Sequence, residues 1–414
     1  DAGSHIGEPG VNLGDVNGDG RNDLALGYGN RFYHADPVNN TPAKELRVYL
    51  GQEGDNRPEA SPSLRFRGMK YFARGLGETV GSGDFTGDGI NDIIVGSYYN
   101  EENRIYVVPG RSSWPAASNG EYYDFDNTTD QNALKLVTIE LKDSTIFTNG
   151  GKVVRVMGDV LPDNDGKARA EIALTLQDVP PQVILIKGRD VTAATTLNVT
   201  QTLDCTVAGE PVTDCDDANT LRLIPDVPEL FGFGKNLTPG ADVTNDGVPD
   251  IVVEHTGAGP AQTLYIFDGA ALGEATLGTS VALNATTAAG SAAPDLYLGT
   301  GGVMLYGEKF YPALMTRNQG SGPAVEGLIT RLYNKATNAT PGLQLRLNVA
   351  DTDGGFTYGQ FPYVSVEFYD PRDADSAGVS FAKYRPIVVG DFDGDGYDDF
   401  IAPQQVVTGS MLIY

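Results

Sequence analysis

Residues 390–402 read GDFDGDGYDDFIA, and the side chains of Asp391, Asp393, Asp395 and Asp399 crowd together just ahead of an apolar run. Carboxylates this close repel one another, and each is harder to ionise beside its neighbours unless a counter-charge sits among them. The phrase recurs. GDVNGDGRNDLALG begins at Gly14, GDFTGDGINDIIVG at Gly83 and ADVTNDGVPDIVVE at Ala241, while a longer version, GDVLPDNDGKARAEIALT, begins at Gly158. One more copy is visible by context alone: YGEKFYPALMT, from Tyr306, keeps the apolar run and has lost the acidic phrase.

The flanks repeat with the phrase. Ahead of it come IGEPGVNLGD, LGETVGSGD, GGKVVRVMGD and FGKNLTPGAD; behind it come LALG, IIVG, IALT, IVVE, ALMT and FIAP. A further run follows, ELRVYLG, RIYVVPG, QVILIKG, TLYIFDG, GLITRLY or SMLIY, and then in most copies an amphipathic one such as SLRFRG, LKLVTIEL, LRLI or LQLRLNV. Short runs of Val, Ile, Leu and Tyr between Gly, Pro, Asn and Asp read as strands. Each unit is therefore expected to hold four short antiparallel strands, with the acidic loop joining the first to the second. The markers Asp15, Asp84, Asp159, Asp242, Glu308 and Asp391 divide the chain into units 5–73, 74–148, 149–230, 231–297, 298–375 and 376–414. Inserts at 110–130 and 189–220 account for a period longer than the ~40–50 residues of common propeller blades. One such sheet cannot hide both faces, whereas sheets stacked around an axis can. The expectation is an all-β chain forming a single domain over 1–414, a β-propeller of six four-stranded blades.

Each intact loop follows D-x-[DNT]-x-D-G-x-x-D, with oxygen donors at positions 1, 3, 5 and 9 and a main-chain carbonyl at position 7. Gly at position 6 permits the positive φ of a sharp curl, so the odd positions converge. Hard cations such as Ca²⁺ take six to eight oxygens at about 2.3–2.6 Å, which the curl and one or two waters supply. The first loop offers Asp15, Asn17, Asp19, the Arg21 carbonyl and Asp23; the second offers Asp84, Thr86, Asp88, the Ile90 carbonyl and Asp92. The fourth unit offers Asp242, Thr244, Asp246, the Val248 carbonyl and Asp250. The sixth offers Asp391, Asp393, Asp395, the Tyr397 carbonyl and Asp399, and with the most carboxylates it should bind tightest. The third loop has extra residues, and Asp159, Asp163 and Asp165, with Glu171, form a fifth candidate set. The loop at Glu308 is expected to hold no ion. An EF-hand is rejected, because its position 12 needs a bidentate Glu and here that position holds Leu26, Val95, Val253 or Ala402. Mg²⁺ fits less well, since it keeps its waters in a strict octahedron. A metal-free Asx turn explains one loop but sits poorly with four at matching places.

These loops, and the Gly-rich segment ahead of each, resemble FG-GAP (VCBS-type) repeats, which build the propeller at the head of integrin α subunits and occur in many secreted proteins. The resemblance covers nearly the whole chain. It implies calcium held in hairpin loops on one face, and extracellular recognition or adhesion. It departs in two ways: propellers of that kind have seven blades where six are countable here, and Phe233–Gly234 is the nearest Phe-Gly while Gly-Ser-Tyr at Gly96 stands where Gly-Ala-Pro would. Seven blades is accordingly the alternative.

The 414 residues carry 29 Lys and Arg against 55 Asp and Glu, a formal net charge of -26, and no basic cluster, which excludes a nucleic-acid partner. No apolar run approaches the ~20 residues that cross a bilayer. His5, His34 and His255 are scattered, and neither a G-x-S-x-G elbow nor a Walker loop occurs, so no catalytic residue is assigned and the chain is read as a non-enzyme. The expected partner is a protein or glycan at the extracellular surface. Two alternatives stand beside an adhesion or assembly role: a glycan-binding lectin, and the polysaccharide lyase chemistry found on some calcium-bearing propellers. A lectin would repeat aromatic platforms, whereas Tyr98–Tyr99, Tyr122–Tyr123 and Trp114 cluster in one region and are read as loop packing.

Cys205 and Cys215 flank a Gly-Glu-Pro that suits a hairpin tip, so a local disulfide and an oxidising, extracellular compartment are expected. Asn-x-Thr sequons at Asn39, Asn127, Asn198, Asn236, Asn284 and Asn338 are candidate glycosylation sites. The opening DAGSHIGEPG lacks the basic start and apolar core of a signal peptide, and the chain is read as mature, trimmed or cut from something larger. Its last run, ending at Tyr414, reads as the third strand of the sixth unit. Either the missing strand lies outside this sequence or is lacking, or another chain donates it to the open edge in a self-assembly.

Overall fold

The computed structural model describes residues 4–30, 45–51, 61–68, 79–99, 102–142, 154–163, 165–176, 181–200, 203, 205–207, 210–225, 233–241, 247–256 and 262–282. Beyond these it describes strands alone, at 296–297, 311–316, 324–331, 343–348, 363–368, 380–381, 388–390, 399–405 and 410–413. Two compact units emerge: Asp1–Leu223 with Ala275–Val281, and Ile224–Glu274 with Ala282–Tyr414.

The first repeat supplies β1 (Ser4–Gly14), β2 (Asp23–Asn30), β3 (Glu45–Tyr49) and β4 (Leu64–Arg67). The second supplies β5 (Thr79–Gly83), β6 (Asp92–Tyr99) and β7 (Glu102–Val108), then an insert with β8 (Tyr123–Asp124) and helix α1 (Thr128–Leu134), then β9 (Val137–Leu141). The third runs through β10 (Val154–Val156), β11 (Ile172–Leu176) and β12 (Gln182–Ile186). Its insert holds β13 (Thr195–Val199) and the small hairpin β14 (Thr206–Val207) and β15 (Glu210–Pro211), before β16 (Thr220–Ile224). The fourth has β17 (Phe233–Ala241), β18 (Asp250–Thr256), β19 (Gln262–Phe267), helix α2 (Gly269–Gly273), β20 (Thr279–Ala282) and β21 (Leu296–Tyr297). The fifth holds β22 (Tyr311–Thr316), β23 (Ala324–Arg331), β24 (Leu343–Asn348) and β25 (Tyr363–Phe368). The last holds β26 (Ser380–Phe381), β27 (Val388–Gly390), β28 (Asp399–Gln405) and β29 (Ser410–Ile413).

The chain is all-β, and its main strands pair antiparallel in the order of the sequence. Four strands per sheet is nevertheless too few for the first three repeats. Their sheets are five-stranded, in the orders β1-β2-β3-β4-β8, β5-β6-β7-β9-β13 and β10-β11-β12-β16-β20. The fifth strand always comes from a later insert; β8 and β13 join parallel to β4 and β9. An uncovered outer strand presents a row of unpaired N–H and C=O groups, and each insert covers it. The other sheets are β17-β18-β19-β21, β22-β23-β24-β25, and one in which β28 lies between β29 and the pair β26 and β27. The outer strand β25 has no counterpart in the repeat pattern read from the sequence.

Alternation inside the second sheet explains its run-on hydrophobicity. Ile93 and Val95 of β6 and Tyr106 and Val108 of β7 pack with Leu13, Ala25, Leu46, Val48 and Phe66 of the first sheet. Ile94, Ile105, Val107 and Ile139 enter a separate core with Val154, Ile172, Leu174 and Ile184 of the third. A sheet buried on both faces has no polar side to write into its sequence. Each such side chain contributes roughly 1.5–3 kcal/mol on burial, so most of the drive for stacking resides here.

A charged cluster ties the outer strands of the first sheet. Glu45 is 2% exposed. Its Oε1 accepts from Arg47 Nε at 2.6 Å and Arg65 Nε at 2.9 Å, and its Oε2 from Arg65 at 2.9 Å and Arg67 Nε at 2.6 Å. Register explains the meeting, because Glu45 faces Arg67 and Arg47 faces Arg65 across β3 and β4. Burial alone would raise the Glu45 carboxyl, but the hydrogen bonds from Arg65, Arg47 and Arg67 hold it at about 2, against an ordinary 4.5. A depressed acid stabilises the fold above its unfolded pKa and loses that contribution as pH falls toward the folded one. Glu45→Gln is therefore expected to destabilise at pH 7 by about 2 kcal/mol, a figure discounted for the solvent-exposed edges of the guanidiniums. Thermal melts from pH 7 to pH 2 should show the gap closing between pH 4.5 and 2.

Candidate metal centres

The acidic phrases all occupy one place in the topology. They close hairpins in the same register: Gly14 faces Asp23, Gly83 faces Asp92, Ala241 faces Asp250 and Gly390 faces Asp399. The position 6 glycines are left-handed, with φ of 82° at Gly20, 87° at Gly89 and 90° at Gly247. Open space surrounds the point where a Cβ would stand in each, so the requirement is on the backbone alone.

The position 1 carboxylate curls the loop around itself. Asp15 Oδ1 accepts from Gly18 N at 2.6 Å and Asp19 N at 3.1 Å, and Oδ2 from Gly20 N at 2.6 Å. Asp84 repeats this with Gly87, Asp88 and Gly89 at 2.7, 3.0 and 2.8 Å. Burial opposes ionisation of Asp15, but the N–H groups of Gly20, Asp19, Gly18 and Asn17 outweigh it and pull its pKa down.

The position 9 carboxylate clamps the loop to the third strand. Asp23 accepts from Val16 N at 2.9 Å and Gly51 N at 2.8 Å; Asp92 accepts from Thr86 N and Gly110 N, both at 2.8 Å. Asp250 accepts from Gly269 N at 2.9 Å. All three acids are buried. Burial pushes Asp92 up to about 7, with Asp84 and Asp88 adding to the rise, and it raises Asp23 too, helped by Asp19 and Asp15. The glycines two residues beyond the third strands are demanded by space: a Cβ on Gly110 would stand 2.3 Å from the Asn91 carbonyl, and one on Gly269 would stand 2.0 Å from that of Pro249.

Successive loops are also latched to one another. Asn91 N donates to the Asp15 carbonyl and Arg111 N to that of Val16, both at 3.1 Å. One repeat later, Ala170 N donates to the Asp84 carbonyl at 2.8 Å and Arg189 N to that of Phe85 at 2.9 Å.

In the first two loops the carboxylate oxygens of Asp15, Asp19 and Asp23, and of Asp84, Asp88 and Asp92, do not all lie within 4.8 Å of one another, so the ligand sets expected from the sequence are not drawn together in this structure. Each loop carries carboxylate, amide or hydroxyl, and main-chain oxygens along one curl, with the Thr86 hydroxyl donating to Asp92 at 3.3 Å, and each includes a buried acid that resists carrying charge alone. The third loop departs from this. Glu171 takes the position 9 role, accepting from Val160 N at 2.8 Å, and burial together with Asp159 and Asp163 pushes it up to about 8. Asp159 is exposed, while Asp163 and Asp165 are both paired with Arg169. In the fourth loop Val248 and Asp250 are described, and Asp242, Thr244 and Asp246 lie outside the described residues, as does Glu308. Of the sixth loop only Asp399 is described, at the head of β28; Asp391, Asp393, Asp395 and Tyr397 are not.

Cys205 and Cys215 are joined by a disulfide across the β14–β15 hairpin. Among the sequons, Asn127 caps α1 by accepting from Thr129 N at 2.8 Å. Asn198 is buried, with its amide donating to the Thr213 carbonyl at 2.7 Å, a setting with no room for a glycan. Asn236 is on β17, and Asn39, Asn284 and Asn338 lie outside the described residues. His5 is on β1, His255 on β18, and His34 is outside the description. Tyr123 stacks on Phe66 at 5.4 Å, Trp114 meets the same ring edge-on at 6.4 Å, and Arg67 lies over Tyr122 at 4.1 Å, so these aromatics are used in packing. Tyr98 and Tyr99 end β6. A cavity of about 360 Å³ beside α1 is lined by Arg104, Tyr106, Asn132, Thr138 and Glu140 among others, and Arg104 and Glu140 pair with each other at 2.9 Å.

The family model of the FG-GAP repeat matches residues 76–108, the span that holds β5, the second acidic loop, β6 and β7. The matched stretch thus contains the curl and the clamping acid Asp92, and ends two residues before Gly110. Gly110→Ala should push the third strand off the loop and lower stability by about 2–3 kcal/mol in denaturant titration, as overpacking against backbone does.

Proposed function

We propose that the chain is a secreted, calcium-stabilised β-propeller acting as an adhesion or structural interaction module of an extracellular assembly. FG-GAP repeats are found in integrin-like extracellular proteins, and this chain carries one. The observation that bears most weight is the relay of backbone hydrogen bonds from the first acidic loop to the second and from the second to the third, Asp15 to Asn91 and Asp84 to Ala170. Paired with face-to-face cores between the first three sheets, such a relay suits blades added in succession.

In this reading Asp15, Asn17, Asp19, Asp23 and the Arg21 carbonyl hold one calcium, and Asp84, Thr86, Asp88, Asp92 and the Ile90 carbonyl hold another. The fourth and sixth loops take theirs through the matching positions. The bound ion supplies positive charge that offsets the carboxylate repulsion and ties first strand to second. The role is structural, so the surface left for recognition is acidic, in keeping with a net charge of -26. The Cys205–Cys215 disulfide favours an oxidising compartment.

Thermal melts in calcium and in excess EGTA test the proposal. Each site should contribute about 2–4 kcal/mol when calcium far exceeds Kd, so the chelated chain is expected to melt many degrees lower. A melting temperature indifferent to EGTA would overturn the calcium reading. Small-angle scattering of the calcium-loaded chain should fit a disc with a central channel; an elongated profile would remove the propeller.

A further inference from the structure

The third acidic loop departs from its neighbours in a specific way. Between the loop glycine and the position 9 acid the first two loops have two residues, RN and IN; here Gly166 and Glu171 are separated by KARA. The extra residues bring in Arg169, whose side chain is only 5% exposed. Its guanidinium meets three carboxylates. NH1 lies 3.0 Å from Asp163 Oδ2, NH1 and NH2 form a fork on Asp165 at 2.9 and 2.8 Å, and NH2 lies 3.1 Å from Asp190. Lys187 Nζ adds a contact to Asp163 at 3.3 Å and donates to the Pro162 carbonyl at 2.5 Å. Lys167 Nζ reaches Asp190 at 2.5 Å.

Asp163 and Asp165 are the acids that would serve a metal at this loop. A planar guanidinium presents five donors in a fixed fork and carries its charge at every working pH, which suits it to hold several carboxylates together. A divalent ion entering the same oxygens would face that charge at close range. Arg169 also braces the preceding loop: a Cβ on Gly87 would stand 2.7 Å from its Nε and 2.9 Å from its Cγ. The adjacent Ala170 carries the latch to Asp84. One residue therefore closes its own loop and roofs the preceding one.

We propose that the third repeat carries its own cation: Arg169, seated among Asp163, Asp165 and Asp190, replaces the divalent ion, so this hairpin closes without metal. The replacement rests on the calcium reading of the neighbouring loops; the metal-free closure does not. The test compares the full chain with its Asp163→Asn, Arg169→Lys and Asp84→Asn variants, by counting calcium with elemental mass spectrometry after stripping and reloading. Melts in calcium and in EGTA accompany the count.

Asp84→Asn should lose one ion, whereas Asp163→Asn should keep the wild-type number. Asp163→Asn should also melt several degrees below wild type, by the same margin in calcium and in EGTA, and Arg169→Lys, which keeps the charge but not the fork, should melt below wild type by a margin that is likewise the same in both. Loss of one calcium in Asp163→Asn would overturn the proposal, as would wild-type melting of that variant in EGTA. If wild type binds no calcium at all, the calcium reading of the other loops falls, and the EGTA melts still decide the role of Arg169.

Discussion

A carboxylate buried at the head of a strand persists only if hydrogen bonds or a cation compensate it, and the repeats of this chain are organised around that requirement. Asp23, Asp92 and Asp250 each lie buried at the start of the second strand of a repeat, and each accepts from a glycine two residues beyond the third. One side chain thus sets the end of the acidic loop, the entry to β2, β6 or β18, and the close approach of a strand that is not its sequence neighbour. The glycines at those ends follow as a consequence, since a methyl group there would collide with the backbone of the loop.

The loops themselves curl around position 1, where Asp15 and Asp84 collect a fan of backbone N–H groups. That fan does not reach the acid at position 9, and Asp92 is pushed up to about 7 by burial and by Asp84 and Asp88. Asp19 at position 5 pairs with Arg21 at 3.0 Å. The third repeat resolves the same crowding from within the chain, by Arg169 and Lys187. Arg169 lies within the KARA that lengthens this loop.

Stacking depends on a second constraint, the burial of both faces of the sheets. The cores on either side of the second sheet are distinct, and their members alternate along β6 and β7. The insert strands β8 and β13 then protect the outer edges. They explain why the inserts are long and why they sit between the third and fourth strands of the following repeat.

Much of this was legible in the residues. The recurrence of the acidic phrase, the Gly at position 6 and the strand runs on either side named the hairpins, because those are local features with local causes. Glu45 illustrates what was not: nothing near it in sequence announces three arginines, and only the pairing of β3 with β4 brings Arg65 and Arg67 to it. The fifth strands escaped notice for the same reason, as β8 is two residues long and owes its conformation to the edge it covers. Arg169 left a trace, in the KARA that lengthens the third loop, but a length difference does not say where a side chain points. Spacing along the chain specifies which atoms a turn can gather. Which distant group completes the set, an arginine or the N–H of a remote glycine, is decided by packing, since that alone determines what else arrives at the same place.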